Sequence, residues 1–361
     1  LNELKPVLLI GGMPVPDCET AFKACSAEIG KHLSSMPDGE PGDRKLWITF
    51  LAYRLYDGHP DIETCVRPRQ VRGTEDWIPK GYDDNWQFRI REGLSQLAFD
   101  SLGYARAAAD SYRTFCALRE EGVVPRDVRF QVCLPLPESG TRPFVANADD
   151  FPRFFGAYQA AMVKELSKLS KAIPPSDLAI QWDVCVEVLA MESDDRVPYR
   201  PDSWRGAGDP FERYMKAVTE LSPHVPEEAI LGIHLCYGSL GNKHLIEPRD
   251  LALLTRMANA SVERVQRRID YFHMPVPQSR TDSAYFEPLA DLDLKDAKLY
   301  AGLIHYADGV EGAAARLKAL QRHYRSEVGI ATECGMGRIP PEQDFPTFLK
   351  LHAAAAERLL N

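Results

Sequence analysis

Ile230-Leu231-Gly232-Ile233-His234-Leu235-Cys236-Tyr237-Gly238 is the stretch whose reading decides the rest. Its apolar, β-branched run predicts a buried strand, and a strand sends every second side chain to the same face. His234 and Cys236 therefore share a face at the end of that strand. Imidazole and thiolate together suit a borderline metal such as zinc, provided that other elements bring further ligands.

Outward from this run, short apolar segments alternate with amphipathic ones, which predicts an α/β architecture. Strands are expected at 6–10, 32–36, 128–134, 178–184, 230–238, 268–274, 298–304 and 328–332. Helices are expected at 18–31, 96–121, 151–171, 211–221, 248–265, 309–324 and 344–359. Eight strands with helices between them is the count of a single (β/α)8 TIM barrel, here one domain over residues 1–361. No Gly-x-Gly-x-x-Gly follows the first strand, which argues against an open dinucleotide-binding sheet. A Trp- and Arg-rich insertion at 43–95, after the second strand, is too long to lack structure and is expected to cover something, as a lid or a subunit contact. A polar stretch at 192–210 reads as another lid-like loop.

The chain of 361 residues is 45% apolar and 26% charged, enough to bury a full core. A formal charge of −9 without a Lys/Arg block argues against nucleic acid as a partner. No apolar run reaches membrane-spanning length. The eight cysteines lack CxxC pairs and a disulfide framework, and no signal-peptide pattern opens the sequence, so a reducing, cytoplasmic setting is expected. Self-association into a homo-oligomer is compatible with the sequence.

In a barrel of this kind the reactive residues gather where the strands end. Read in order, those ends supply Gly11 and Gly12, Asp38 and Glu40, Glu138, Asp183, His234 and Cys236, His273, His305, then Glu333 and Cys334. His234, Cys236 and Cys334 have the chemistry of a zinc site, with His273 or a substrate atom as a fourth donor. His305 can titrate near neutral pH and is the candidate acid. Asp183, a carboxylate inside an apolar run, must be paired or face the pocket, where it binds substrate or orients a ligating histidine. Glu40, Arg44 and Trp47 are expected to hold a charged substrate, with Gly11, Gly12 and Glu138 beside them. Arg338 is expected to pin a carboxylate or to neutralise Glu333.

The ordered set Gly-Ile-His234-Leu-Cys236-Tyr, Leu-Ile-His305 and Glu-Cys334-Gly-Met-Gly-Arg338 resembles the cobalamin-independent methionine synthases. More broadly, it resembles the superfamily they share with uroporphyrinogen decarboxylase and zinc-dependent thiol alkyltransferases. Ile180-Gln181-Trp182-Asp183 is similar to the family's Ile-Gln-Ile-Asp-Glu-Pro, and Leu9-Ile10-Gly11-Gly12-Met13-Pro14 to its Ile-Gly-Ser-Phe-Pro. The resemblance implies zinc as cofactor, a small thiol and a methyl or alkyl donor as partners, and His305 as the acid for the leaving group. This chain departs from the pattern at Asp183-Val184-Cys185, which loses an acid, and at Tyr271-Phe272-His273-Met274-Pro275, where the family's ligand Glu is replaced. The length holds one barrel where the synthases carry two.

The expected function is zinc-dependent methyl or alkyl transfer to a small thiol. A lyase or hydrolase in which zinc activates water, and a non-catalytic ligand-binding barrel, are the alternatives.

Overall fold

A computed structural model describes residues 3–68, 84–192, 208–239, 243–340 and 342–360. Nine strands are present among them: β1 Ser35–Pro37, β2 Ile62–Val66, β3 Gln87–Ile90, β4 Arg129–Pro135, β5 Leu178–Val184, β6 Ile230–Leu235, β7 Tyr271–Pro275, β8 Lys298–Ile304 and β9 Val328–Thr332. Seven form one parallel, curled sheet in the order β1-β4-β5-β6-β7-β8-β9, while β2 and β3 pair as a separate antiparallel hairpin. Ten α-helices accompany them: α1 Cys18–Ile29, α2 Tyr104–Glu120, α3 Pro137–Thr141, α4 Phe151–Ala172, α5 Val186–Glu192, α6 Pro210–Leu221, α7 Ala252–Arg264, α8 Ser283–Phe286, α9 Gly309–Leu320 and α10 Phe345–Leu359. Asp17, Asp209, Asp282 and Asp344 cap α1, α6, α8 and α10 by accepting backbone N–H bonds. No described helix is long and apolar enough to cross a membrane.

The strand expected at 6–10 takes a different form. Val7 makes parallel bridges to both Leu33 and Ile330, beside the two edges of the sheet. Its neighbours cannot extend the ladder fully, because the Leu9 and Ile10 carbonyls accept side-chain bonds from Gln131 at 2.8 Å and Gln181 at 2.6 Å. The helix expected from residue 96 begins at Tyr104, after Gly103 at a φ of 88°. Within the 43–95 insertion, helical turns span Gly42–Thr49 and Ala52–Tyr56 and the β2–β3 hairpin follows. Residues 69–83 of that insertion, and 193–207 of the expected polar loop, lie outside the described residues.

The period of two divides the sheet into an outer and an inner face. Ile180, Trp182, Leu231, Ile233, Phe272 and Leu299 join the large core against the helices. Ala179, Ile230, Tyr271, Tyr300 and Ala331 form a smaller separate cluster with Leu8 and Ile10 on the inner face. Glycines make room there for the tyrosines. A Cβ on Gly232 would lie 1.9 Å from Tyr271 Cζ, and one on Gly329 would lie 2.2 Å from Tyr300 Cδ1. Continuing along the inner face toward the strand ends, hydrocarbon gives way to Gln131, Gln181, Asp183, His234 and His273, all buried. That change of composition positions the site.

Candidate metal centre

His234 lies near the end of β6, Cys236 follows it on the same face, and Cys334 comes two residues after β9. The two sulfurs are 3.6 Å apart, and Cys334 Sγ is 3.8 Å from His234 Nε2. All three donor atoms fall within 4.8 Å of one another. With usual zinc bond lengths, a tetrahedron has edges of roughly 3.8 Å between thiolates and roughly 3.6 Å between thiolate and imidazole. The Cys236–Cys334 and Cys334–His234 separations therefore match two edges of such a site, and the third pair lies within 4.8 Å.

Backbone and side-chain donors support the sulfurs. Gly238 N–H donates to Cys236 Sγ at 3.3 Å, and Ser239 Oγ donates to Cys334 Sγ at 3.3 Å. Arg338 in turn donates to Ser239 Oγ at 2.5 Å. The hydrogen bond from Cys236, together with the charges of Arg338 and of His234 when that ring is protonated, holds the Cys334 thiol well below its ordinary range despite burial.

His273 has a different place from the one expected of a fourth ligand. It is fully buried, its Nε2 is 3.0 Å from the Thr332 carbonyl, and its Nδ1 is 2.7 Å from His234 Nδ1. The carbonyl can only accept, so Nε2 carries the proton. Burial pushes this histidine well below its usual pKa, which leaves the ring neutral and Nδ1 bare. His273 Nδ1 must then accept from His234 Nδ1–H. In a neutral His234 ring the lone pair is consequently on Nε2, the atom that faces Cys334. Both nitrogens of His273 are used in hydrogen bonds, so in this arrangement neither is free to bind a metal, and the ring orients His234.

A cavity of about 270 Å³ opens beside these residues, lined among others by Gly11, Gly12, Glu40, Trp47, Asp183, His234, Cys236, Cys334 and Arg338. Asp183 Oδ1 accepts from Gln181 at 2.9 Å and Oδ2 from the Trp47 indole at 3.2 Å. Burial raises Asp183 to about 6, against the pull of His234. Glu40 rises to about 8 through burial first and the neighbouring Asp183 charge second. The Glu40, Asp183 and Cys133 donor atoms lie within 4.8 Å of one another, but Cys133 Sγ donates to the Ile10 carbonyl at 3.0 Å. Two carboxylates so close share a proton or a cation. Gly11 and Gly12 leave space for Glu40: a Cβ on Gly12 would come within 3.2 Å of Glu40 Oε2. Glu40 and Trp47 adopt φ of 52° and 59°, left-handed values that non-glycine residues reach only when neighbours enforce them.

Three other expected site residues do not line that cavity. Arg44 makes a two-pronged pair with Asp38, at 3.2 and 2.5 Å, and so buttresses the turn that carries Glu40. Glu138 is buried and its charge is matched by Arg142 at 2.7 Å and Arg213 at 2.9 Å, leaving none for a substrate. His305 lines a smaller cavity of about 90 Å³ that shares Cys236 and Cys334 with the larger one. Its Nε2 donates to the Val276 carbonyl at 2.8 Å and its Nδ1 stands 3.9 Å from Glu333 Oε2. Arg338 serves Ser239 and does not pair with Glu333, whose partner is His244 Nε2 at 3.0 Å. Burial opposes charge on His244, but Glu333 outweighs it and raises the imidazole to about 9.

Sequence reasoning passed over Gln181, Cys185, Ser239 and His244. Gln181 was legible, two residues before Asp183 and so on its face. Cys185 packs beside Cys236 in an apolar cluster with Leu189 and Ile246, across the β5–β6 pairing. Ser239 and His244 come from the irregular segment after β6, where no periodicity could signal them.

No family model matches the chain, and no curated protein matches it. Among solved structures it is similar to a Listeria monocytogenes protein described as a candidate vitamin-B12 independent methionine synthase. That match has 16% identity and a TM-score of 0.54, and covers 94% of this chain and 86% of the other. It is also similar to a B12-independent methionine synthase from Shewanella sp. W3-18-1, in complex with selenomethionine. There the identity is 15% and the TM-score 0.54, with 98% of this chain and 97% of the other covered. At such identities the likeness is one of fold.

Proposed function

We propose that this chain is a zinc-dependent transferase that moves a methyl or other alkyl group onto a small thiol. In this reading, residues 1–361 form a single (β/α)8 barrel closed by the segment around Val7, with the 43–95 insertion over its mouth. The observation that carries the proposal is the convergence of His234, Cys236 and Cys334 donor atoms within 4.8 Å, with both separations from Cys334 Sγ close to tetrahedral edges. A fourth position is left to a substrate atom. Zinc held there would keep a substrate thiol deprotonated near neutral pH while leaving it nucleophilic.

The other residues act around that centre. Glu40 and Asp183 bind a cationic head group, such as a primary ammonium, which relieves their mutual repulsion. Trp47 and Gln181 fix the Asp183 carboxylate from two sides. His305 exchanges a proton through Nδ1, because its Nε2–H is committed to Val276.

Metal analysis of protein purified without chelators tests this directly. About one zinc per chain is expected, with loss of metal but not of helical content in Cys236→Ser. Alkylation of a panel of aminothiols should then require the metal. A protein that holds no zinc, and whose Cys236→Ser variant is indistinguishable from it, would falsify the reading. Turnover that needs zinc but no thiol would point to a lyase or hydrolase.

A further inference from the structure

The main cavity has two kinds of lining. Glu40, Asp183, His234, Cys236 and Cys334, on or beside the strand ends, are ionisable. Turns, loops and α5 present Trp47, Ile48, Phe144, Val186, Leu189 and Leu245, with Thr49, Asn85 and Gln87 as polar neighbours. The two kinds adjoin: Trp47, Leu189 and Leu245 belong to the cluster that packs Cys185 against Cys236 and Cys334. A group bound at the sulfurs therefore borders hydrocarbon. Among the described lining residues the cations are Lys45, which is exposed, and Arg338, one of whose guanidinium nitrogens donates to the neutral Ser239 hydroxyl. Asp84 adds a further carboxylate to the lining. Among the described lining residues a polyanionic ligand would meet three carboxylates, Glu40, Asp84 and Asp183, against these two cations, so desolvation and repulsion would oppose it.

Resting on the transferase reading, we infer that the group donor is a neutral small molecule with an apolar alkyl or aryl body. In the transfer, the thiol sulfur bonds to the migrating carbon as the bond from that carbon to its leaving group breaks. The thiol proton ends on the leaving group. The apolar walls are the seat of that leaving group's body, and the carboxylate pair is the seat of the thiol's cationic head. The chamber then selects donors by hydrocarbon content and against negative charge.

A homologous series of 2-(alkylthio)ethylamines, from methyl to hexyl, places an ammonium, a sulfur and a tail of graded length in one molecule. Isothermal titration against the zinc-loaded protein should show Kd falling about 3- to 4-fold per methylene until the walls are filled. A tail ending in carboxylate should bind at least tenfold more weakly than an alkyl tail of equal length. Leu245→Asp should flatten the chain-length slope. Kd values independent of tail length, or tighter binding of the carboxylate tails, would overturn the inference on the wild-type protein alone. Replacing sulfur by methylene in the probes, with and without zinc, tests the underlying function separately. A flat slope with a zinc-dependent preference for sulfur removes the apolar donor and keeps the transferase. A steep slope indifferent to sulfur and zinc keeps an apolar ligand site and removes the transferase, and with it the donor assignment.

Discussion

Replacing His273 by Phe tests the chain of bonds that sets which nitrogen of His234 would face the proposed zinc. Phe keeps a planar ring in a fully buried position but deletes both hydrogen bonds, at 2.7 Å to His234 Nδ1 and 3.0 Å to the Thr332 carbonyl. A buried donor and a buried acceptor are then left without partners, at about 1–3 kcal/mol each, so the metal-free fold should lose about 2–6 kcal/mol. Freed of its partner, His234 can take either tautomer, and metal affinity should fall about 10- to 100-fold. Urea unfolding of the metal-free protein measures the first loss, and competition with a chromophoric chelator the second. Long-range ¹H–¹⁵N spectra report the tautomer itself. The wild-type protein should show His234 protonated at Nδ1 and bare at Nε2, and the variant a mixture. A wild-type His234 protonated at Nε2, or a variant with undiminished metal affinity, would refute the reasoning.

Other consequences reach beyond the centre. Gly232→Ala places a methyl 1.9 Å from Tyr271 Cζ and must displace a ring whose hydroxyl donates to Gln181 at 3.0 Å. Overpacking and the lost bond together should cost about 2–4 kcal/mol in urea unfolding, and Tyr271→Leu in the same chain should recover part of it. Buried His352 is depressed to about 4, by burial, from an ordinary value of 6.5. Between those values the unfolded chain binds a proton that the folded chain refuses, so stability falls as pH falls from 6.5 to 4. The full effect is about 3 kcal/mol; His352→Leu should lack it, so the stability difference between wild type and variant should shift by that amount in unfolding curves taken across that window. Trp47→Phe removes the indole donor from Asp183 Oδ2 at 3.2 Å, and should make that carboxylate easier to protonate, as read by carboxyl NMR titration.

Much of the architecture was legible because it rests on local regularities. The period of two in residues 230–236 placed His234 and Cys236 on one face before any contact was known, and a carboxylate inside the apolar run 178–184 marked Asp183 as paired or facing the pocket. Apolar spacing located most helices within a few residues. The segment 6–10 misled only in form: its composition is that of a strand, but glutamine side chains from β4 and β5 take the carbonyls a neighbouring strand would have used.

Partnership is what the sequence alone could not decide. His273, Glu138 and Arg44 are chemically able to bind a metal or a substrate, and nothing local distinguishes a free group from a committed one. Only the folded chain brings Thr332 to His273, Arg142 and Arg213 to Glu138, and Asp38 to Arg44, using up their donors and charges. The same long-range packing sets Cys334 at 3.6 Å from Cys236, although 98 residues separate them. Residue type and period fixed which face each group occupies. Distance and competition for hydrogen bonds, which exist only in three dimensions, decided which groups remain available for chemistry.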